Sequence, residues 1–346
     1  MGELIRIHSG HQLPDGFPSP DVYFTPGYGR AAVITDVGSW VLLEAFDGAW
    51  QMPLIVRTLT DGTKDAVSPY GYSGVYAAAW LTAAQIDQAW CQTNTCLREL
   101  GIISVLLRHS PLVPQAPQLP GQQSIVRGHP TIALEPVDSD GAWNGMEGSC
   151  RTKIRKAQKN AYTGEVRPAE RRDLAQGGDF RRLYDATMQR LDAAPLYFFG
   201  DAYYTGLFDG LGPDLFMAQV RDHRGAVVSA DLLMRHGSRL HGHLSGSNRD
   251  DARMGSNNLM IWTATQFAID QGISQFHLGG GVDPGDSLFK FKRSFGGREL
   301  KYAVSGLIID RELYTHHTQK RAKECDLPIE ALLDSNYFPA YRAGTP

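Results

Sequence analysis

The sequence predicts an α+β fold of mixed central sheets flanked by helices, and three stretches carry that prediction. The dipeptide Asp47-Gly48 separates two strand-like apolar runs, Trp40 to Phe46 and Trp50 to Leu59, a strong local signal for a hairpin. Three further strand-like runs, Leu215 to Val220, Ala226 to Met234 and Arg239 to Leu244, follow one another across short turns and predict an antiparallel meander. A helix opened by ArgMetGlySerAsnAsn (253–258) and ended by Gly272 then leads into a short buried strand at 273–278. Helices segregated around such a meander are an α+β arrangement.

The remaining elements fit that frame. Residues 1–20 hold three prolines and little periodicity, so an irregular lead-in is expected, followed by a turn-rich aromatic loop at 21–29. Residues 82–100 read as a helix capped by Thr82 and stopped at Gly101, ahead of a strand from Ile102 to Leu107. A proline-rich connection at 111–124 precedes strand candidates within 124–137 and a loop at 138–148. Beyond it come helices at 150–163, 179–191 and 200–211, a last long strand from Leu300 to Ile309, and a polar helix from about 311 to 325. The first half shows a shorter version of the second half's element order. Two related α+β domains are therefore expected, 1–146 and 147–346.

Composition narrows the function class. With 42% apolar and 21% charged residues the chain is an ordinary globular protein. It has no apolar run of membrane-spanning length and no signal-peptide pattern at its start, so a cytoplasmic location without membrane insertion is expected. Cys91, Cys96, Cys150 and Cys325 show neither a CxxC pair nor zinc-type spacing, which predicts free thiols and no structural metal. The net charge of −3 argues against a nucleic-acid coat protein. Its distribution is uneven: residues 1–146 carry 7 Lys/Arg against 13 Asp/Glu, and residues 147–346 carry 27 against 24, leaving room for a basic surface on the second half.

That surface is most concentrated at 150–163. Arg151, Arg155 and Lys159 recur every four residues and share a helical face, with Lys153 and Lys156 beside them. Such a run is either a solvated basic face or a set of phosphate contacts for a nucleotide or RNA. A second concentration of chemistry lies at 273–300. Glycines 279–281 follow a strand, Asp286 and Ser287 are helix-start residues, and Leu288, Phe291, Ser294 and Phe295 fall on one helical face. The phenylalanines should pack inward and leave the Lys292 ammonium on the shoulder, beside a glycine-lined cavity. The loop SerProTyrGlyTyrSerGly (68–74) has the composition of a surface turn or a polar-ligand wrap. His241 and His243, two apart on a strand, should face one way. His243 is a candidate general base as well as a candidate structural histidine, and His316-His317 should be exposed.

Taken together, several of these segments resemble the FemABX-type branch of the GNAT acyltransferase superfamily, the aminoacyl-tRNA-dependent peptidyltransferases and their relatives. They are ThrLysIleArgLysAlaGlnLysAsn (152–160), AspAlaThrMetGlnArgLeu (185–191), GlySerAsn with the helix after it (246–269) and HisLeuGlyGlyGly with AspSerLeuPheLysPheLysArgSerPheGly (277–296). The loop at 68–74 and PheProAlaTyrArg (338–342) add to them, and the likeness spans roughly residues 21 to 342. It implies a tandem GNAT fold with the acceptor amine between the domains, and aminolysis of an activated acyl group. Phe291 and Lys292 would then stand at the reacting carbonyl, with His243 and His109 as further catalytic candidates. Tyr70, Tyr72, Ser73, Arg108, Arg190, Tyr197, Ser245, Ser247 and Asn257 become candidate substrate-binding residues. Arg151, Lys153, Arg155, Lys156 and Lys159 become candidate contacts to tRNA phosphates.

The implied activity is transfer of an aminoacyl group from aminoacyl-tRNA to a small-molecule or cell-wall-precursor amine, with no bound cofactor. The alternative is an acyl-CoA-dependent N-acyltransferase on an amino sugar or other small amine. Two departures bear on the choice. The turn Arg253-Met254-Gly255-Ser256-Asn257 is a degenerate version of the loop that cradles the coenzyme A pyrophosphate in one-domain acetyltransferases of this superfamily. Ser110 stands where the best-known peptidyltransferase of the branch has an aspartate, which leaves His109 as the neighbour that could substitute.

Overall fold

The computed structural model describes residues 4–10, 13–14, 16–117, 122–123, 129–281, 283, 285–335 and 337–344. They form two units, one of Met1–Gly128 with Tyr302–Pro346 and one of His129–Lys301. The boundary expected between 146 and 147 therefore falls at 128/129, and the chain returns to its first unit at Tyr302. Long-range pairing decides this. Strand Pro130–Leu134 joins the second sheet, and Ala303–Ile308 joins the first. The single long strand expected at 300–309 is two strands in two sheets, Arg298–Lys301 and Ala303–Ile308, parted at Tyr302.

In the first unit the Asp47-Gly48 hairpin forms as expected. Ser39–Ala45 and Trp50–Thr58 run antiparallel, and Phe46, Asp47 and Gly48 all take positive φ in the turn. Lys64–Val67 lies beside Trp50–Thr58 and pairs in parallel with Ile102–His109. Helix Ala83–Glu99 starts at a capping box in which Thr82 and Gln85 satisfy each other's backbone N–H. It lays Trp90 edge-on against Trp50, at 4.5 Å between ring centroids. The loop expected at 21–29 is instead a short turn followed by helix Pro26–Asp36. Thr25 caps this helix by accepting from the Tyr28 N–H, and proline sits at its first position, where no N–H is needed. Strand Arg6–Ser9 pairs with Ser39–Ala45 inside the stretch expected to be irregular.

The C-terminal segment closes this unit around one buried carboxylate. Asp65 accepts from Arg57 Nε at 2.8 Å, from Arg342 Nε at 2.6 Å and from the Tyr341 hydroxyl at 3.2 Å. On the polar helix Arg311–Glu324, His316 is exposed as expected, but His317 is buried with its Nε2 3.1 Å from Thr63 Oγ1.

The second unit is a seven-stranded sheet in the order Arg298–Lys301, Pro130–Leu134, Gln275–Gly280, Arg239–Ser247, Val227–His236, Leu215–Arg221, Thr163–Pro168. The expected meander is its centre. The edge strand Thr163–Pro168 and helix Ser139–Gly145, within the loop expected at 138–148, are additions. Helices Gly148–Lys159 and Ser256–Asp270 share an apolar core with the sheet, built from residues such as Cys150, Ile154, Met260, Ala264 and Phe276. Helix Asp179–Arg190 packs on strands Val227–His236 and Arg239–Ser247. Among the described residues no helix is long and apolar enough to cross a membrane, and all four cysteines are free thiols. Part of the strand pair expected within 124–137 lies outside the described residues; Pro130–Leu134 is the strand that forms there.

Candidate active site

Strands Arg239–Ser247 and Gln275–Gly280 run parallel, but their register joins only Arg239–His241 to Gln275–His277. Past that point stands the glycine turn. Gly281 is held to glycine by close approach, since a Cβ there would sit among the Asp286 carboxylate atoms. Asp286 caps helix Ser287–Arg293 by accepting from the Phe289 N–H at 2.7 Å. One helical turn further on, Lys292 Nζ donates to the Gly280 carbonyl at 2.7 Å. The helix keeps most of the expected face, with Ser294 buried as well, but Phe289 takes the place expected of Leu288. Phe289 and Phe295 are buried, Phe291 is half-buried with its ring edge-on to Phe295 at 5.3 Å, and Leu288 is exposed.

A buried acid that the sequence reading passed over acts electrostatically on Lys292. Asp231 lies within strand Val227–His236 and is only 5% exposed. Burial pushes its carboxyl up to about 8, against the pull of the Lys292 charge. Burial likewise pushes the Lys292 ammonium down to about 8, while Asp231 and then Asp286 draw it back up. A carboxylate inside a run of buried apolar residues is costly without a charge partner, and that was the signal available in ValValSerAlaAspLeuLeuMet (227–234). Ser245 stands opposite Asp231 in the ladder and is exposed.

The two strand histidines are treated differently from the expectation of a shared face. The ladder pairs Leu233 with Gly242 and Leu232 with Leu244, so His243 is the extra residue of a bulge, which interrupts the alternation. His241 is buried with its ring edge-on to His277 at 5.7 Å. His243 Nε2 shares a 2.6 Å hydrogen bond with the Tyr203 hydroxyl, and Tyr203 stacks on Phe199 at 4.2 Å. Burial, with His241 adding to it, pushes His243 down to about 3. An imidazole that releases its proton so readily is a weak base at neutral pH, so His243 fits a packing and hydrogen-bonding role better than the general-base role expected of it.

The other candidates of this unit fall into small groups. Arg190 Nη1 donates to the Ser247 carbonyl at 3.0 Å, and the Tyr197 carbonyl accepts from the Tyr184 hydroxyl at 2.9 Å. Asn257 Oδ1 accepts from Ser229 Oγ at 2.9 Å, and Ser229 also meets the buried Ser256 hydroxyl at 2.6 Å. The intervening turn is closed against its neighbour. Gly255 has φ 98°, and a Cβ on it would lie 2.3 Å from the Lys153 carbonyl oxygen. Lys156 Nζ caps the Arg253 carbonyl at 3.1 Å.

Three of the five basic residues on helix Gly148–Lys159 thus have internal partners. Lys156 is one. Arg151 donates to the carbonyls of Trp143, Asn144 and Met146 at the end of the preceding helix, and the Arg155 guanidinium lies 5.2 Å from the Trp143 ring centroid. Lys153 and Lys159 are exposed.

In the first unit five candidates do come together. Tyr70, Tyr72 and Ser73 lie on the loop that crosses the end of strand Ile102–His109, and the Ser73 N–H donates to the Arg108 carbonyl at 3.0 Å. The Arg108 guanidinium donates to the Ser68 carbonyl at 2.7 Å and lies 6.0 Å from the Tyr70 ring centroid. Tyr72 packs edge-on against Tyr302 at 5.1 Å. His109 meets Ser305 Oγ at 2.7 Å and Gln115 Oε1 at 3.2 Å, and burial lowers its pKa despite Gln115. Ser110 is buried, its hydroxyl accepting from the Leu112 N–H at 3.2 Å.

Residues 148–293 match the acetyltransferase (GNAT) domain family. The fold is that of FemX, with a TM-score of 0.67 at 14% identity over 86% of this chain and 95% of that one. L-PGS from Bacillus licheniformis follows, with a TM-score of 0.50 at 13% identity over 82% and 86% of the two chains. The C-terminal domain of a protein described as a lysylphosphatidylglycerol synthetase from Agrobacterium fabrum scores 0.50 at 13% identity, over 81% and 86%. No curated protein matches in sequence.

Proposed function

With the second unit carrying a GNAT acyltransferase domain in a FemX-type tandem α+β fold, we propose that this enzyme forms an amide bond by moving an aminoacyl group from aminoacyl-tRNA to an amine. The acceptor is a small molecule or a cell-wall precursor. The observation that carries the reading is Lys292, an ammonium fixed on the Gly280 carbonyl beyond the end of the parallel ladder, with Phe291 beside it. Attack of an amine on an ester carbonyl builds negative charge on the carbonyl oxygen, and a preorganised cation in a partly dry site stabilises that charge best. Likeness in fold to a lysylphosphatidylglycerol synthetase, whose name describes attachment of an aminoacyl group, supports an aminoacyl donor. The exposed Lys153 and Lys159 are the residues on the basic helix suited to phosphates of a tRNA.

A second reading, acyl-CoA-dependent N-acylation of an amino sugar or other small amine, draws support from the acetyltransferase description of the matching family. Against it stands the turn at 253–257. Its glycine is pressed on the Lys153 carbonyl and its serine is bonded inward to Ser229, a poor cradle for a pyrophosphate. Mass spectrometry of reactions offering charged tRNA and acyl-CoA side by side tests the choice. Product from charged tRNA, abolished by RNase, is expected; product from acyl-CoA alone, insensitive to RNase, refutes the leading reading. Lys292→Ala should lower turnover by about 100-fold or more, and full turnover in that variant would remove the site from helix Ser287–Arg293.

A further inference from the structure

We infer that the first unit carries a reactive centre of its own, in which His109 activates the Ser305 hydroxyl for attack on small carboxylic esters and Gln115 holds the imidazole in the tautomer this needs. The tautomer follows from the contacts of Gln115. Its Oε1 accepts from the Val75 N–H at 3.2 Å, and its Nε2 donates to the Ser73 and Val113 carbonyls at 3.2 and 3.4 Å. These backbone groups settle which end of the amide is oxygen. The same Oε1 stands 3.2 Å from His109 Nδ1, and an amide oxygen only accepts, so the imidazole proton is on Nδ1. Burial lowers the pKa of His109, which keeps the ring neutral at neutral pH. Nε2 therefore presents its lone pair, and the Ser305 hydroxyl, 2.7 Å away, donates to it.

Three separate segments supply these groups. His109 ends strand Ile102–His109, Ser305 lies in the partner strand Ala303–Ile308, and Gln115 lies on the loop after His109. In the ladder His109 stands opposite Ala303 and Leu107 opposite Ser305, so all four side chains share one face of the sheet. Leu107 on that face belongs to the core, while Ala303 is exposed, so the pair sits where the face passes from core to solvent. Gly74 leaves room for the orienting contact, since a Cβ there would collide with Gln115 Oε1 and crowd His109 Nδ1. A serine and a histidine can bond only to satisfy one another, but that needs no fixed tautomer, because a hydroxyl donates or accepts equally well. A third group that turns the imidazole lone pair toward the hydroxyl proton is the arrangement by which a base activates a nucleophile.

In the step this permits, a Ser305 Oγ lone pair bonds to the ester carbonyl carbon as its proton passes to His109 Nε2. The acyl C–O bond then breaks, and the departing alcohol takes that proton, leaving an acyl-serine and a neutral imidazole. Water attacks the acyl-serine by the same route. His109 takes a proton from the water and returns it to Ser305 Oγ as the carboxylic acid leaves.

A fluorophosphonate probe tests the nucleophile on the full chain, with no tRNA, amine or acyl-CoA present. Fluoride leaves as Oγ bonds to phosphorus, and peptide mass spectrometry locates the adduct. It should map to Ser305, should be absent when the chain is unfolded in urea before labelling, and should form about 100-fold more slowly in His109→Phe. In the parent the labelling rate should fall only below about pH 6.5, since burial lowers the His109 pKa. Gln115→Leu should slow labelling by about tenfold. Gln115→Glu keeps an acceptor on Nδ1, so it should restore the rate and move the acid limb to higher pH, because a carboxylate favours the imidazolium. The ester reaction is read as p-nitrophenolate release from p-nitrophenyl acetate, which should stop once Ser305 is labelled. No adduct on Ser305 in the folded parent overturns the inference whether or not the variants fold. Equal labelling in a folded His109→Phe overturns it too, as does ester cleavage that continues at the parent rate after labelling. Because neither assay uses aminoacyl-tRNA or an amine, failure here and failure of the proposed transfer are separate results.

Discussion

Gly255→Ala is a perturbation whose cost can be worked out term by term. The glycine links the short helix Arg249–Met254 to the long helix Ser256–Asp270 with φ 98°, in the left-handed region. An L-residue there costs about 1–2 kcal/mol. A second term comes from space. The new methyl would stand 2.3 Å from the Lys153 carbonyl oxygen and 2.9 Å from its carbon, both backbone atoms inside helix Gly148–Lys159. Neither can swing aside as a side chain would, so one helix must move off the other at a cost of about 1–3 kcal/mol.

Gly225→Ala is the matched control. It too sits at positive φ, 84°, but a Cβ there meets nothing within 4 Å, so only the first term applies. The assay is urea and thermal unfolding followed by the fluorescence of Trp143 and Trp262, which lie edge-on at 5.1 Å in the same unit. Gly255→Ala should be the less stable variant by about 1–3 kcal/mol, or about 3–10 °C in Tm for a unit of this size. Equal losses in the two variants would refute the argument that the turn at 253–257 is closed against its neighbouring helix. The same argument is what counts against a pyrophosphate cradle there, so the result bears on donor choice as well as on stability.

Two further outcomes follow from the polar contacts. Burial raises the pKa of Asp65, but the hydrogen bonds and charges of Arg342 and Arg57 outweigh it and leave the carboxyl below its ordinary value. A carboxyl depressed on folding contributes stability that is present above its unfolded pKa and lost as pH falls through the folded one. Asp65→Asn should therefore cost about 2–4 kcal/mol at pH 7, after allowance for the partial exposure of Arg342, and urea titration between pH 6 and pH 3 should show a smaller acid-side loss of stability than in the parent. On the basic helix, Lys153→Ala with Lys159→Ala should reduce the slope of log affinity for charged tRNA against log salt by about one per lysine. An unchanged slope would place the tRNA elsewhere.

Local chemistry made much of this fold legible. The Asp47-Gly48 hairpin, the Thr82 capping box and the Asp286 cap each reside in a few consecutive residues, and each forms where expected. What escaped was of two kinds. Thr25-Pro26 is a helix-start signal, but it sits among aromatics and glycines that read as turn, and the helix it opens was missed. The parting of 298–308 at Tyr302 has no local signature at all, because it depends on which distant strand each half meets. The site shows the same division. The placement of Lys292 beside a glycine turn was readable from spacing. Its electrostatic coupling to Asp231 was not, because Asp231 lies on strand Val227–His236 and its neighbours look like core. His243 was judged by type rather than by its bulge, and burial changes what that histidine can do.

The return of the chain to its first sheet sets an order on biosynthesis. Ser104 must wait for Ile308, and His109 for Ala303, before either gains its antiparallel partner. At 5–20 residues per second that delay is about 10–40 s on the ribosome. Throughout it the second unit is being made whole, while the first presents strand Ile102–His109, with Val105 and Leu107 among its core residues, as an open edge. The second unit can thus finish folding on a nascent chain whose first unit still lacks strand Ala303–Ile308.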